Sequence, residues 1–313
     1  MLFISVLSNM MISLIKTLFK MYPNVSSLTR SLFLCMVITS SGHAQSFIPF
    51  ELTDQGHIML KAKVNGVEGN FIFDTGAGLT LITKTFSEKI GKLPKQDGSF
   101  TAFRATGEQL TADLYDAQTL ALGNFVEHNP VVTIFDINLG PIDGLISLIS
   151  FKDQPFTIDY TNKKIFFETE KSMLSIRKSG HHIPLQLADS RDKALTVFTY
   201  FVVNDKLTLQ FSIDSGAGNN IYRINSKYSS GLDIDTTKAD KIVIPSEFNP
   251  DIKSIIYQSN IKSITAKASS AVQCQDVKAS FIDGLIYDGI VSLNWIGNKI
   301  TFDLKKREMI VIK

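Results

Sequence analysis

One structural unit is written twice in this chain. Residues 57–64 alternate apolar with polar side chains, break at Asn65-Gly66, and resume as Asn70-Phe71-Ile72-Phe73. Two period-two runs around Asn-Gly predict a β-hairpin. Residues 195–203, the turn Asn204-Asp205 and residues 207–213 repeat that layout. Each hairpin runs into a nearly identical pentapeptide, Asp74-Thr75-Gly76-Ala77-Gly78 and then Asp214-Ser215-Gly216-Ala217-Gly218, 140 residues apart.

Two further anchors keep the spacing. Asp143-Gly144-Leu145-Ile146-Ser147-Leu148 returns as Asp288-Gly289-Ile290-Val291-Ser292-Leu293, an offset of 145. Phe156-Thr157-Ile158-Asp159 returns as Ile300-Thr301-Phe302-Asp303, an offset of 144. Collinear anchors at almost constant spacing imply a duplicated β unit of about 130 residues. The chain beyond residue 50 is therefore read as all-β and bilobal, with lobes at 45–172 and 173–313. The charged, Gly-containing stretch 168–180 reads as the linker, and residues 83–92 and 225–231 as places for a short helix.

Composition narrows the partners. The 313 residues carry a formal charge of +2, but residues 1–44 hold Lys16, Lys20 and Arg30 and no acid. Without those three, 29 basic residues face 30 acidic ones, which gives no whole-chain attraction for nucleic acid. Only Cys35 and Cys274 are present, so loss of the first leaves no disulfide and no cysteine-pair zinc site. His57, His128, His181 and His182 show no H-x-x-x-H spacing, and His181-His182 reads as part of a polar connector. No metal and no cofactor are expected. The two Gly-Ala-Gly stretches lack the third Gly or the Lys-Ser/Thr of a phosphate loop. Trp295 reads as core and Cys274 as an inert thiol.

The first 44 residues read as a signal peptide. Arg30 precedes a short apolar run at 31–39, and Gly42 and Ala44 supply small exit positions before Gln45. The run is too short to span a bilayer, so no membrane span is expected after cleavage. Met21 is an alternative start within an over-extended 1–20. Bulky Leu34 argues against lipid attachment at Cys35. Export is expected, to a periplasm, a cell envelope or the medium, with no room for a long propeptide after Gln45.

The repeated pentapeptide has a chemical logic. Each apolar strand delivers an aspartate at its end, and the following Gly brings backbone N–H groups toward the carboxylate. The Thr75 and Ser215 hydroxyls can bond the opposite loop. Pairing the halves about a twofold would bring Asp74 and Asp214 together. Two touching carboxyls share one proton, so one acts as base on a water and the other as acid toward a carbonyl oxygen. Such a pair suits amide hydrolysis. Ala77 and Ala217 offer no hydroxyl to stabilise the carboxylates, so the pair should titrate high and work in mildly acidic to near-neutral conditions.

The chain resembles bacterial aspartic peptidases, the retropepsin-like and pepsin-like group with an Asp-Thr/Ser-Gly-Ala signature. The resemblance extends over residues 50–313. It implies an acid-protease fold with its site between the lobes and a peptide or protein as substrate. It implies Asp74 and Asp214 as the catalytic pair, supported by Thr75, Gly76, Ala77, Ser215, Gly216 and Ala217. Both Asp residues lie in one chain, so a monomer suffices. The flap of such proteins is sought at Thr106-Gly107, with residues 245–250 as a vague second-lobe counterpart. One departure is symmetric: Ser147 and Ser292 replace the glycine of the hydrophobic–hydrophobic–Gly motif. That change motivates a rival reading, an inactive peptide-binding protein that keeps the fold.

Overall fold

The computed structural model describes residues 47–246 and 248–313. The expected signal peptide, its cleavage site and Cys35 lie outside the described residues. What is described is all-β and bilobal, as the repeat predicts.

Both hairpins form where the sequence places them. Strands Ile58–Val64 and Val67–Asp74 pair antiparallel, as do Ala194–Val203 and Leu207–Ile213. Asn65 (φ 50°) and Gly66 (φ 84°) take the left-handed pair of a type I′ turn, and Asn204 and Asp205 do the same at 53° and 55°. The second anchor then inserts beside the aspartate strand. Gly144–Ser147 runs parallel to Val67–Asp74, and Gly289–Val291 runs parallel to Leu207–Ile213. The next strand, Thr80–Thr83 or Tyr222–Asn225, packs on its other side. This order recurs within a nine-stranded sheet in the first lobe and an eight-stranded sheet in the second.

The third anchor lies where the two halves meet. Phe156–Asp159 pairs antiparallel with Lys299–Asp303 in a six-stranded sheet built from both ends of the chain. Thr157 sits opposite Thr301, its own counterpart in the repeat, with their hydroxyls 2.7 Å apart. The twofold therefore passes beside this pair. Phe156 stacks on Phe302 with ring centroids 5.3 Å apart, and Phe73, Phe151 and Phe156 pack around the Asp74 strand. One continuous apolar core underlies both aspartate strands.

Three local readings change. Phe47–Pro49 is already a strand, paired with Lys164–Phe167, so the sheet begins nearer Gln45 than the hairpin pattern implied. The 168–180 linker holds a helix, Glu170–Ser179, capped by reciprocal Thr169–Ser172 bonds. The expected 172/173 boundary falls inside that helix. Its Arg177 bonds Glu308 at 2.6 Å and Asp303 at 2.5 Å, which pins the connection to the six-stranded sheet. His181-His182 begins the edge strand His181–Pro184 rather than a loop. Only tertiary pairing with Glu308–Ile312 makes it one, since Ile183 is its single buried apolar residue. After the pentapeptides, Lys84–Ile90 is α-helical with Thr83 as N-cap, while residues 226–228 and 230–232 form 3-10 turns.

Candidate active site

The two pentapeptides meet beneath a cleft of about 750 Å³ that Asp74, Gly76, Asp214 and Gly216 help to line. Their hydroxyl residues interlock with twofold symmetry. Thr75 Oγ1 donates to the Ile213 carbonyl at 2.7 Å and accepts from the Ser215 amide at 3.0 Å. Ser215 Oγ donates to the Phe73 carbonyl at 2.7 Å and accepts from the Thr75 amide at 3.0 Å. Both residues are buried, so water cannot replace these bonds. The carboxyls of Asp74 and Asp214 are thereby brought together, each lying against the glycine of the other loop.

The glycines do more than bring N–H groups toward the carboxylates. Neither Gly76 nor Gly216 has a positive φ. Each faces the opposite carboxyl, and a Cβ on either would overlap the other aspartate's carboxyl group. Absence of a side chain, not freedom of φ, is what these positions need. Their amides still reach the carboxylates, as Gly76 N and Ala77 N donate to Asp74 Oδ1 at 2.8 and 3.0 Å. Ala217 occupies the matching place after Gly216, where its amide turns back to the Asp214 carbonyl at 3.5 Å.

The pair is electrostatically unequal. Burial pushes Asp74 above the usual carboxylate value, while its bond from Asp214, the Gly76 and Ala77 amides and nearby His57 pull it back. Asp214 is pushed well above that value by burial and then by the Asp74 charge, with Arg223 and the Gly216 amide opposing. Asp214 Oδ1 is buried without a hydrogen-bond partner, which further disfavours a charge there. Both carboxyls are thus raised, which favours a single proton held between them.

Ser147 and Ser292, the departures from the family motif, are buried and bonded. Ser147 Oγ donates to the Ala77 and Gly78 carbonyls at 2.7 and 3.0 Å. Ser292 Oγ accepts from the Ile221 amide at 2.9 Å and donates to Asn294. The serines thus tie down the segments that follow each aspartate instead of displacing them.

Thr106 and Gly107 sit at the tip of the hairpin Phe100–Phe103/Gln109–Ala112, with Gly107 at φ 86°. The tip rests against the second lobe, where Ile286 N donates to the Ala105 carbonyl at 2.9 Å. Residues 100–105 line the cleft, whereas Thr106 and Gly107 do not. Of the 245–250 stretch, Pro245 ends the second-lobe strand Asp240–Pro245, and Ser246 and Phe248 meet Arg104 beside this hairpin. Ser246 bonds Arg104 at 2.7 Å and Glu108 at 2.5 Å, and Phe248 packs edge-on against Phe135, 5.3 Å between centroids.

Two groups near the pair escaped the sequence reading, His57 and Arg223. His57 is held below its usual pKa, chiefly by burial, with the Asp74 charge opposing and Arg223 assisting. Arg223 lines the cleft beside Asp214. Strand register makes Leu81 its first-lobe counterpart, since Leu81 pairs with Leu145 and Arg223 with Ile290. Gly78 to Leu81 spans three positions and Gly218 to Arg223 five, and these two extra residues break the alignment. Among the described residues no three His, Cys, Asp or Glu side chains gather where they could hold a metal ion.

Comparison with known proteins bears on part of the chain. Residues 60–148, from the strand before Asp74 to just beyond Ser147, match the family model described as aspartyl protease. A solved structure titled "Crystal structure of edgp" is similar at 7% identity and a TM-score of 0.49, over 84% of this chain and 93% of that one. No curated protein matches the sequence. No helix among the described residues is long and apolar enough to cross a membrane.

Proposed function

We propose that this protein is an aspartic-type endopeptidase that hydrolyses peptide bonds with water activated between Asp74 and Asp214. The observation that carries the proposal is the pair of carboxyls brought together under the cleft, both raised above the usual carboxylate value. Asp74, charged and steadied by two amides, takes a proton from the attacking water. Asp214 gives its proton to the carbonyl oxygen as the tetrahedral diol forms. The proton on Asp74 then passes to the departing amine, and the diol returns a proton to Asp214 as the C–N bond breaks. Each carboxyl ends the cycle as it began.

Cleavage of a denatured protein substrate, blocked by a statine-type peptide that mimics the diol, tests this reading. Binding of that peptide without any cleavage would replace it with the peptide-binding rival.

The pH profile should be a bell set by the pair as a unit. Both carboxyls are raised above the ordinary 3.8, so both limbs move upward. The expected optimum is mildly acidic to near neutral, measured as kcat/KM against pH. A maximum in the gastric range would show that donors other than the Gly76 and Ala77 amides set the titration.

Export belongs to the same proposal and rests on the basic flank, apolar run and small exit residues before Gln45. N-terminal sequencing of the exported protein should read from Gln45. A start at Met1 or Met21 would remove this part of the reading.

A further inference from the structure

The cleft wall carries four charged residues, Asp74, Asp214, Arg104 and Arg223. Three are engaged. The aspartates face each other across the two loops, and Arg104 bonds Glu108 at 3.2 Å and Ser246 at 2.7 Å. Arg223 is half-buried in the strand Tyr222–Asn225, between Tyr222 and Ile224, which point into the core. Strand alternation turns it the other way, into the cleft. Its guanidinium has no ion-pair or hydrogen-bond partner among the described residues. Its charge is felt nonetheless, because it lowers the pKa of both Asp214 and His57.

A guanidinium with five donors and no acceptor is stable at a cleft wall only while water reaches it. A peptide filling the cleft strips that water away. The loss is repaid best by a carboxylate, which binds the planar fork with charge-assisted bonds. The singly charged Asp74–Asp214 pair would otherwise repel an acidic side chain. Leu81, the counterpart of Arg223 in the other lobe, leaves that half of the cleft apolar beside Leu79, Phe100 and Phe135.

Resting on the peptidase reading, we propose that Arg223 is a specificity-determining residue that binds an acidic side chain of the substrate, so that the enzyme cleaves near Asp or Glu. The acidic residue occupies one fixed position relative to the cut bond, on the Asp214 side of the cleft, with an apolar residue toward Leu81.

The test begins with cleavage sites mapped in a denatured proteome digest, followed by matched peptides carrying Asp or Asn, and Glu or Gln, at the enriched position. Each variant is assayed at its own pH optimum, because Arg223 also influences Asp214. Wild type should favour the acid over the amide by about tenfold or more in kcat/KM, the scale of one charge-assisted bond. Arg223→Leu should bring that ratio to about one, Arg223→Lys should keep part of it, and Arg223→Glu should invert it toward basic peptides. A wild type indifferent to acid, or an Arg223→Leu variant that keeps the ratio, overturns the proposal. So does a variant that only shifts the pH profile, since Arg223 would then merely tune Asp214, or a guanidinium that serves only peptide carbonyls. Calorimetry with statine peptides carrying Asp or Asn separates the two readings. Acid-selective binding that needs Arg223, without cleavage, sustains the Arg223 assignment and defeats the peptidase reading. Unselective binding defeats the assignment alone.

Discussion

Asp74→Asn, Asp214→Asn and the double variant should each lose about a thousandfold in kcat/KM on a denatured protein substrate, and all to a similar level. One proton and one water serve both carboxyls, so removing either partner removes the whole acid–base cycle. The fold should survive, because Asp74→Asn keeps a side-chain oxygen for the Gly76 and Ala77 amides. Stability should even rise at neutral pH. A carboxyl raised above 3.8 binds its proton more tightly folded than unfolded. The stability it lends is complete below the unfolded value and is lost as pH rises through the folded one. Asn does not titrate, so the variants should melt higher than the parent at neutral pH, with the gain shrinking toward and below 3.8. Near-normal turnover in either single variant would end the dyad mechanism for this protein. Thermal melts across pH provide the second check.

Thr75→Val should destabilise the protein by about 2–5 kcal/mol, because it leaves two buried backbone groups without partners. The Ile213 carbonyl loses its donor and the Ser215 amide its acceptor, while the side chain keeps its shape. Ser215→Ala should do the same to the Phe73 carbonyl and the Thr75 amide. The four bonds form one closed knot, so the double variant should fall short of the sum of the singles. Activity should fall with both, since the knot is what holds the carboxyls in register. Urea unfolding of the singles and the double measures the coupling. Strict additivity would show that the two loops are held independently.

The duplication, the β-class and the two aspartate loops were legible because each is local and repeated. Asn65-Gly66 and Asn204-Asp205 tolerate left-handed backbone, which dictates two hairpins without help from distant residues. The Thr157 and Thr301 anchors could be matched at sight, and their meeting on the twofold follows from an internal duplication that folds symmetrically. Glu170–Ser179 was hidden by its composition: it buries only Met173 fully and is secured by its cap and by Arg177, so a core-facing pattern is scarcely written in it.

The division between Asp74 and Asp214 depended on assembly. Both sit in the same local motif, and only the assembled site gives Asp74 two amide donors and leaves Asp214 Oδ1 buried without a partner. The role of Gly76 and Gly216 is likewise set across the lobes, because the carboxyls they make room for lie 138 and 142 positions away in the chain. Arg223 shows the same limit. Within its strand it is one polar residue between core residues, and no spacing marks it. It becomes a group beside the carboxyl pair only when two non-contiguous loops close around the cleft and place a long side chain where chain order alone puts nothing.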